Sequence, residues 1–464
     1  MKSEITGGMK GSSKGTTIQK GAMFMAGLTL LQSLRVALTG AKFALDRFKI
    51  PQQHASSFIN MVHNPMELAT FTGMAIVNIA LIWKEKWKNY AGCLAAITNV
   101  TLCCSFVLLL YAFTSGGQMG NLTFYYWTIV FVSFIYGLNV ACVMAVGSAN
   151  ASLFNMGIPL SGIQVCIYYY VFTKLSERYN WSNVSYWIIF WQLIIAILIS
   201  AASAAVWIIA QPNGGNGGGS PGPGAVSPIL MGMVGMGGIY AFYPAIAPYK
   251  LTDVGTGYTI DLVVLFMSAV PGILIAILCA CNGSKNGIGP NQDWSSAQWW
   301  HSSWFLAIPH ITAMVLCLCT LHYPGSGLAS SIKSSGLKVG VITVTLKFCE
   351  EGLKAVSYAG ASKQVQKEKG GTIASLNTFT SQGLMIILAF TGDGYLKTYS
   401  KYENDRSKWP TKDFGFWKSL GYWTWNGAYV ACKSVKSSFT KNVRCKVLGK
   451  SEALLIVYAD DDHM

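Results

Sequence analysis

Apolar residues run along this chain in long stretches of about 20 positions, nearly free of charge and separated by short polar loops. A helix of that length matches the hydrocarbon thickness of a bilayer. Strands that cross membranes instead alternate two kinds of side chain over about ten positions, and that alternation is absent. The pattern predicts an all-α, polytopic membrane helical bundle. Candidate spans fall at Gly21–Leu45, Met66–Trp83, Ala91–Phe113, Phe124–Val146, Ala151–Phe172 and Trp187–Ala210. Five more follow at Pro228–Tyr249, Tyr258–Cys281, Trp304–His322, Leu337–Gly360 and Thr372–Gly392. Arg35 and Lys42 interrupt the first; if it does not cross, ten spans remain.

Between the two groups lies residues 211–227, QPNGGNGGGSPGPGAVS, whose glycines and prolines read as a solvated linker. The expected organisation is an N-terminal segment over 1–20, a six-helix half over 21–210 and the linker over 211–227. A five-helix half over 228–392 and a charged tail over 393–464, with no apolar run long enough to cross, complete it. Lysines cluster at positions 2, 10, 14 and 20, at 84, 86 and 88, and at 363, 367 and 369. With eleven spans these clusters share one side, which places the N-terminus in the cytoplasm. The sequons at Asn121, Asn180 and Asn183 fall on the opposite side. Lys174, Arg178 and the basic tail run against that orientation. No cleavable signal peptide is visible, so the first or second span is expected to serve as the insertion signal.

Composition agrees with the pattern: 11% of residues are charged and 52% hydrophobic, with a mean hydropathy of +0.40. Soluble chains carry about a quarter charged residues. The net charge of +15 sits in loops and the tail without aromatic interleaving, which suits anionic lipid headgroups better than nucleic acid. Most of the twelve cysteines fall inside spans, where ionising a thiol is costly, so they read as apolar filler. No metal-ligand spacing, nucleophile elbow or phosphate-cradling loop is present. No cofactor is implied, and the chain does not read as an enzyme.

Polar residues inside spans therefore carry the chemistry, since each is costly there and faces a bundle interior or a watery cavity. The densest group is Lys347-Phe-Cys-Glu350-Glu351-Gly-Leu-Lys354. Lys347 and Glu351 are four apart, as are Glu350 and Lys354, so each acid meets a base one turn away. The group is either a substrate-facing ion-pair network or a headgroup cluster beyond a misplaced span boundary. Asp261, without a basic partner nearby in sequence, suits a solute hydroxyl or a proton, or an interfacial position. Asn139 and Gln164, with Asn78, Asn99, Gln192, Asn377 and Gln382, supply either ligand contacts or interhelical hydrogen bonds. Arg35 is a lone cation that snorkelling explains as well. Pro244 and Pro248, in the glycine-rich seventh span, read as hinge or packing positions, together with Gly352 and Gly383.

Several segments resemble the equilibrative nucleoside transporters. Tyr243-Pro244-Ala245-Ile246 is similar to the Phe-Pro-Ala-Ile of that family's seventh helix. Phe348, Gly352, Lys363, Val365, Gly371 and Gly383 follow its tenth-to-eleventh helix pattern, with weaker matches at Ser161-Gly162 and Asn64-Pro65. The resemblance implies a major-facilitator-like bundle of six plus five helices moving a nucleoside or nucleobase. In that family the eighth helix carries an Asp followed four residues later by an Arg, both engaging the ribose. Asp261 stands for the acid, but Leu265 occupies the Arg position. The linker and tail also look similar to the Tpr-related multi-pass proteins of Theileria-type parasites. The expected function is facilitative, alternating-access transport of a small polar solute across a lipid bilayer. The alternative is a non-transporting structural or interaction protein that keeps the bundle. Substrate, membrane of residence and oligomeric state stay open.

Overall fold

The computed structural model describes residues 9–51, 54–83, 90–147, 150–210, 220–281, 288–367, 373–439 and 442–448. Lys2, Lys84, Lys86, Lys88 and Lys369, residues 211–219 of the linker and the end of the tail lie outside them. Each predicted span overlaps a long helical rod, though the first ends at Leu38, before a short separate helix over Ala41–Arg47, and the second begins eleven residues early, at Ala55. These are α1 (Thr17–Leu38), α2 (Ala55–Trp83), α3 (Ala91–Thr114), α4 (Leu122–Gly147), α5 (Ala151–Tyr179) and α6 (Val184–Ala210). The second set is α7 (Pro223–Phe242), α8 (Val254–Ala280), α9 (Gln298–His322), α10 (Gly336–Ala361) and α11 (Ile373–Ser400). Eight of them, α1 and α3 to α9, are long and apolar enough to cross a membrane by length and composition. The other three, α2, α10 and α11, carry Glu67, the Lys347–Lys354 group and Asp393, all buried.

Large apolar side chains cover the outside of the bundle, among them Ile79, Val107, Leu198, Ile209, Ile277 and Ile308. Water would not tolerate a belt of this extent; lipid does. The chain is an all-α, polytopic membrane bundle. Each half has its own core, one around Phe106, Tyr126, Tyr169 and Leu193, the other around Ile246, Leu346, Phe390 and Tyr399. Within the first half α2 and α4 cross at Gly73 and Gly137, where an added Cβ would overlap the opposing backbone. Small residues at such crossings let helices approach closely where lipid supplies no hydrophobic drive. The halves meet along α5 and α8, with Gly272 against Pro159, and along α2 and α11, where Phe71 stacks on Phe379 at 4.9 Å.

Three elements differ from the sequence reading. The seventh helix stops at Phe242, because a residue before proline is driven out of helical geometry; Tyr243 is extended. Pro244 and Pro248 lie in a buried turn, not in a helix. The described end of the linker is ordered: Ser220–Pro221 pairs antiparallel with Val365–Lys367. The tail is not merely a charged extension. It forms α12 (Phe416–Ser438) and α13 (Val443–Leu448), both folded back onto the bundle. Trp423 and Ala431 of α12 join the second half's core, and Val443, Val447 and Leu448 join the first half's.

The loops sort to two ends. Asp46, Arg47, Gln118 and Asn183 surround one depression, and Asn121, Asn180 and Asn183 are exposed at that end. At the other, Gln364 bridges Gln292 and Trp294, next to the exposed Lys363.

Candidate functional site: a charged cavity between the halves

On α10, Lys347, Glu350, Glu351 and Lys354 follow one another by three, one and three residues, so all four share one helix face. That face turns into the bundle, and each side chain is buried, between 3% and 8% exposed. The four close into a ring of ion pairs. Lys347 binds Glu350 and lies 3.6 Å from Glu351, while Lys354 lies 3.4 Å from Glu350 and 2.6 Å from Glu351. The two i,i+4 pairs were legible in the sequence; the helix adds two i,i+3 pairs and closes the ring. The group is therefore interior, not a headgroup cluster. Equal numbers of acids and bases keep it electrically neutral, which is how four charges are tolerated away from water.

The ring forms one wall of a cavity of about 70 Å³, room for a handful of waters on the scale of roughly 10–15 Å³ for each. The first half contributes Arg35 from α1, Glu67 from α2 and Tyr136 from α4; the second adds Tyr240, Tyr243, Tyr358, Thr378 and Gln382. Lys347 stands 5.8 Å from the ring centres of both Tyr240 and Tyr243, within cation–π reach. Arg35 faces this cavity instead of snorkelling. Its Nε is buried without a hydrogen-bond partner among the described residues. The guanidinium and Leu265 both press on Gly162, so Arg35 brings a cation from α1 beside the position where the resemblance expects one on α8. Glu67, which the sequence reading did not single out, is 7% exposed, with the His63 imidazole 3.6 Å away.

Other sequence candidates sit elsewhere. Asp261 is buried but not in the lining. It accepts a hydrogen bond from Tyr249 at 2.6 Å and contacts Tyr243, which does line the cavity. Asn139 donates to Thr98 at 3.0 Å, and Gln164 accepts from Gln32 at 3.1 Å. Both tie helices together outside the cavity, as Asn99 does with Ser203 and Asn377 with Ser357. Among the amides named from sequence, Gln382 is the one in the lining. Gly352 and Gly383 are packing positions: an added Cβ would lie 2.8 Å from Leu306 and 3.2 Å from Phe71 respectively. The cysteines are unpaired, and no group of three metal-ligating side chains occurs among the described residues.

No sequence family matches this chain, and no curated protein matches it. Solved structures do. The proton:xylose symporter XylE of the major facilitator superfamily, bound to 6-bromo-6-deoxy-D-glucose, aligns with a TM-score of 0.50 at 11% identity. The alignment covers 96% of this chain and 99% of the symporter. A bacterial homologue of the iron transporter ferroportin, in an outward-facing state with soaked iron, aligns at 0.43 and 10% identity over 92% of this chain. The fold is thus major-facilitator-like: a multi-pass helical membrane bundle whose halves enclose a central cavity.

Proposed function

We propose that the chain is a membrane transporter that moves a small polar solute by alternating access. The observation that carries this reading is the composition of the cavity wall. Charged and hydrogen-bonding side chains from both halves converge between two independently cored bundles. A packed structural relic would be expected to fill that space with apolar side chains. At about 70 Å³ the cavity is smaller than such a solute, so loading requires the halves to part.

Four tyrosine rings offer flat faces, while the ion-pair ring and Gln382 offer donors and acceptors. That combination, with the segments resembling the equilibrative nucleoside transporters, favours a nucleoside or nucleobase. The basic N-terminal end faces the cytoplasm in this reading, and the sequons face away. The test is uptake of labelled adenosine and uridine into proteoliposomes, beside Glu350→Gln, Glu351→Gln. The double substitution strands both lysines without counter-charges and removes both acids from the cavity wall, so saturable uptake should be lost. No uptake by folded, inserted wild-type protein would instead favour a non-transporting interaction protein.

A further inference from the structure

Trp417 and Trp425 of α12 are 80% and 73% exposed, on the side of the helix turned away from the bundle. Trp423, Gly427 and Ala431, four residues apart, are buried against it. Lys418, Trp425, Tyr429 and Lys436, spaced by seven, four and seven, share the opposite face and are exposed, as is Lys433. Two of these lysines rest on aromatic rings: Lys418 lies 4.2 Å from the ring centre of Phe414, and Lys433 lies 4.4 Å from that of Tyr429. Between Asp413 and Glu452 the sequence holds no acid. The helix thus has a docked face, an aromatic edge and a basic face.

Both ends of α12 are fixed at the end of the bundle that carries the sequons. Trp423 packs on Tyr395 in the last two turns of α11. Phe439, directly after the helix, lies 6.0 Å from Trp127 in the second turn of α4, and the Val443 amide donates to Thr123 in its first turn. With 23 residues, or about 35 Å, α12 is long enough to cross a bilayer, but a helix held at one end of the bundle by both termini does not cross. It lies along the rim, at the depth of the lipid headgroups. One turn along α11 from Thr391, on which Gly427 packs, Ile387 is exposed, so α12 borders the lipid-facing belt.

We infer that α12 is an interfacial helix that binds anionic phospholipid headgroups. Trp417 and Trp425 sit at the boundary between headgroups and acyl chains, where an indole keeps its ring in apolar surroundings and its N–H in polar ones. Lys418, Lys433 and Lys436 reach the lipid phosphates, and the absence of acids in the segment leaves their charge to the lipid. A second copy docking through its own α12 would instead set lysine against lysine.

The experiment titrates phosphatidylglycerol, and separately phosphatidylcholine, into the detergent-solubilised full chain and counts bound lipids and protein copies by native mass spectrometry. Each lysine beside an anionic lipid is worth roughly a fivefold change in affinity. Lys418→Gln, Lys433→Gln, Lys436→Gln should therefore weaken the tightest phosphatidylglycerol binding roughly 100-fold and leave phosphatidylcholine unchanged. Arginine at the same three positions should restore it. Trp417→Ser, Trp425→Ser should weaken both lipids alike. Lys333→Gln, Lys338→Gln, exposed outside α12, is the control and should bind as wild type does. Coincident titrations for wild type and the triple variant, or equal weakening in the control, overturn the assignment. A tryptophan variant that turns a dimer into a monomer while keeping its lipids would give this face to a second copy, and overturns it as well.

Discussion

The four charges of α10 stand or fall as a unit. Removing one lysine leaves two buried acids sharing the other, and the expected cost is about 3–5 kcal/mol. Lys354→Met should therefore lower the thermal melting temperature of the detergent-solubilised protein sharply. Adding Glu351→Gln removes the surplus charge and should restore a large part of the loss. A double substitution no more stable than the single would show that the four do not act as a neutral ring. Spacing alone revealed this group, because a three-one-three pattern on a helix leaves no freedom in which side chains meet. Glu67 was hidden by a boundary. Read as the second residue of a span beginning at Met66, it looks interfacial. The helix in fact begins at Ala55, which puts Glu67 twelve residues in, about 18 Å along the axis. Arg35 was ambiguous for a different reason: one cation on one helix gives no sign of which neighbour it faces.

At the level of helices, apolar run length located α1 to α11, while their ends followed rules that run length does not contain. Proline chemistry stopped α7 at Phe242. In α12 polar residues break up the apolar ones along the sequence, with Lys418, Lys433 and Lys436 gathered on one face, so no continuous run announces it. Its docking depends on close approach: Gly394 of α11 lies against the backbone of Gly427, and Trp423 packs among His322, Tyr395 and Trp409. Arg406 secures the connecting segment by donating to the Leu321 carbonyl at 2.9 Å. The same small-residue logic holds α2 to α4 and can be tested there. Gly137→Val places a branched side chain where the Thr70 carbonyl sits. Overpacking of this kind costs about 1–3 kcal/mol, so the variant should melt earlier, whereas Gly421→Ala on the exposed face of α12 should not. Equal melting temperatures for Gly137→Val and wild type would mean that the helices separate there without penalty.

On the scale of the molecule, the tail connects the two halves that the proposed alternating access would pull apart. Its α12 belongs to the second half's core and its α13 to the first half's. Arg444 fastens the second attachment, donating to the carbonyls of Phe48 at 2.6 Å and Met119 at 3.2 Å, while the Val443 amide donates to Thr123. These acceptors lie at the end of the bundle that carries the sequons, so a seated α13 is expected to restrain opening of the halves there. Charge-assisted hydrogen bonds of this kind are worth about 1.5–3 kcal/mol each. Arg444→Gln should weaken the strap by about 2 kcal/mol, a roughly 30-fold shift toward opening at this end. The measurement is the labelling rate, by a membrane-impermeant thiol reagent, of a cysteine placed at Thr39 in an otherwise cysteine-free chain. Faster labelling in Arg444→Gln, with no change in melting temperature, would identify the tail as a restraint on one gate. Unchanged labelling would mean that the halves open at this end without releasing α13, and that the tail only buries surface.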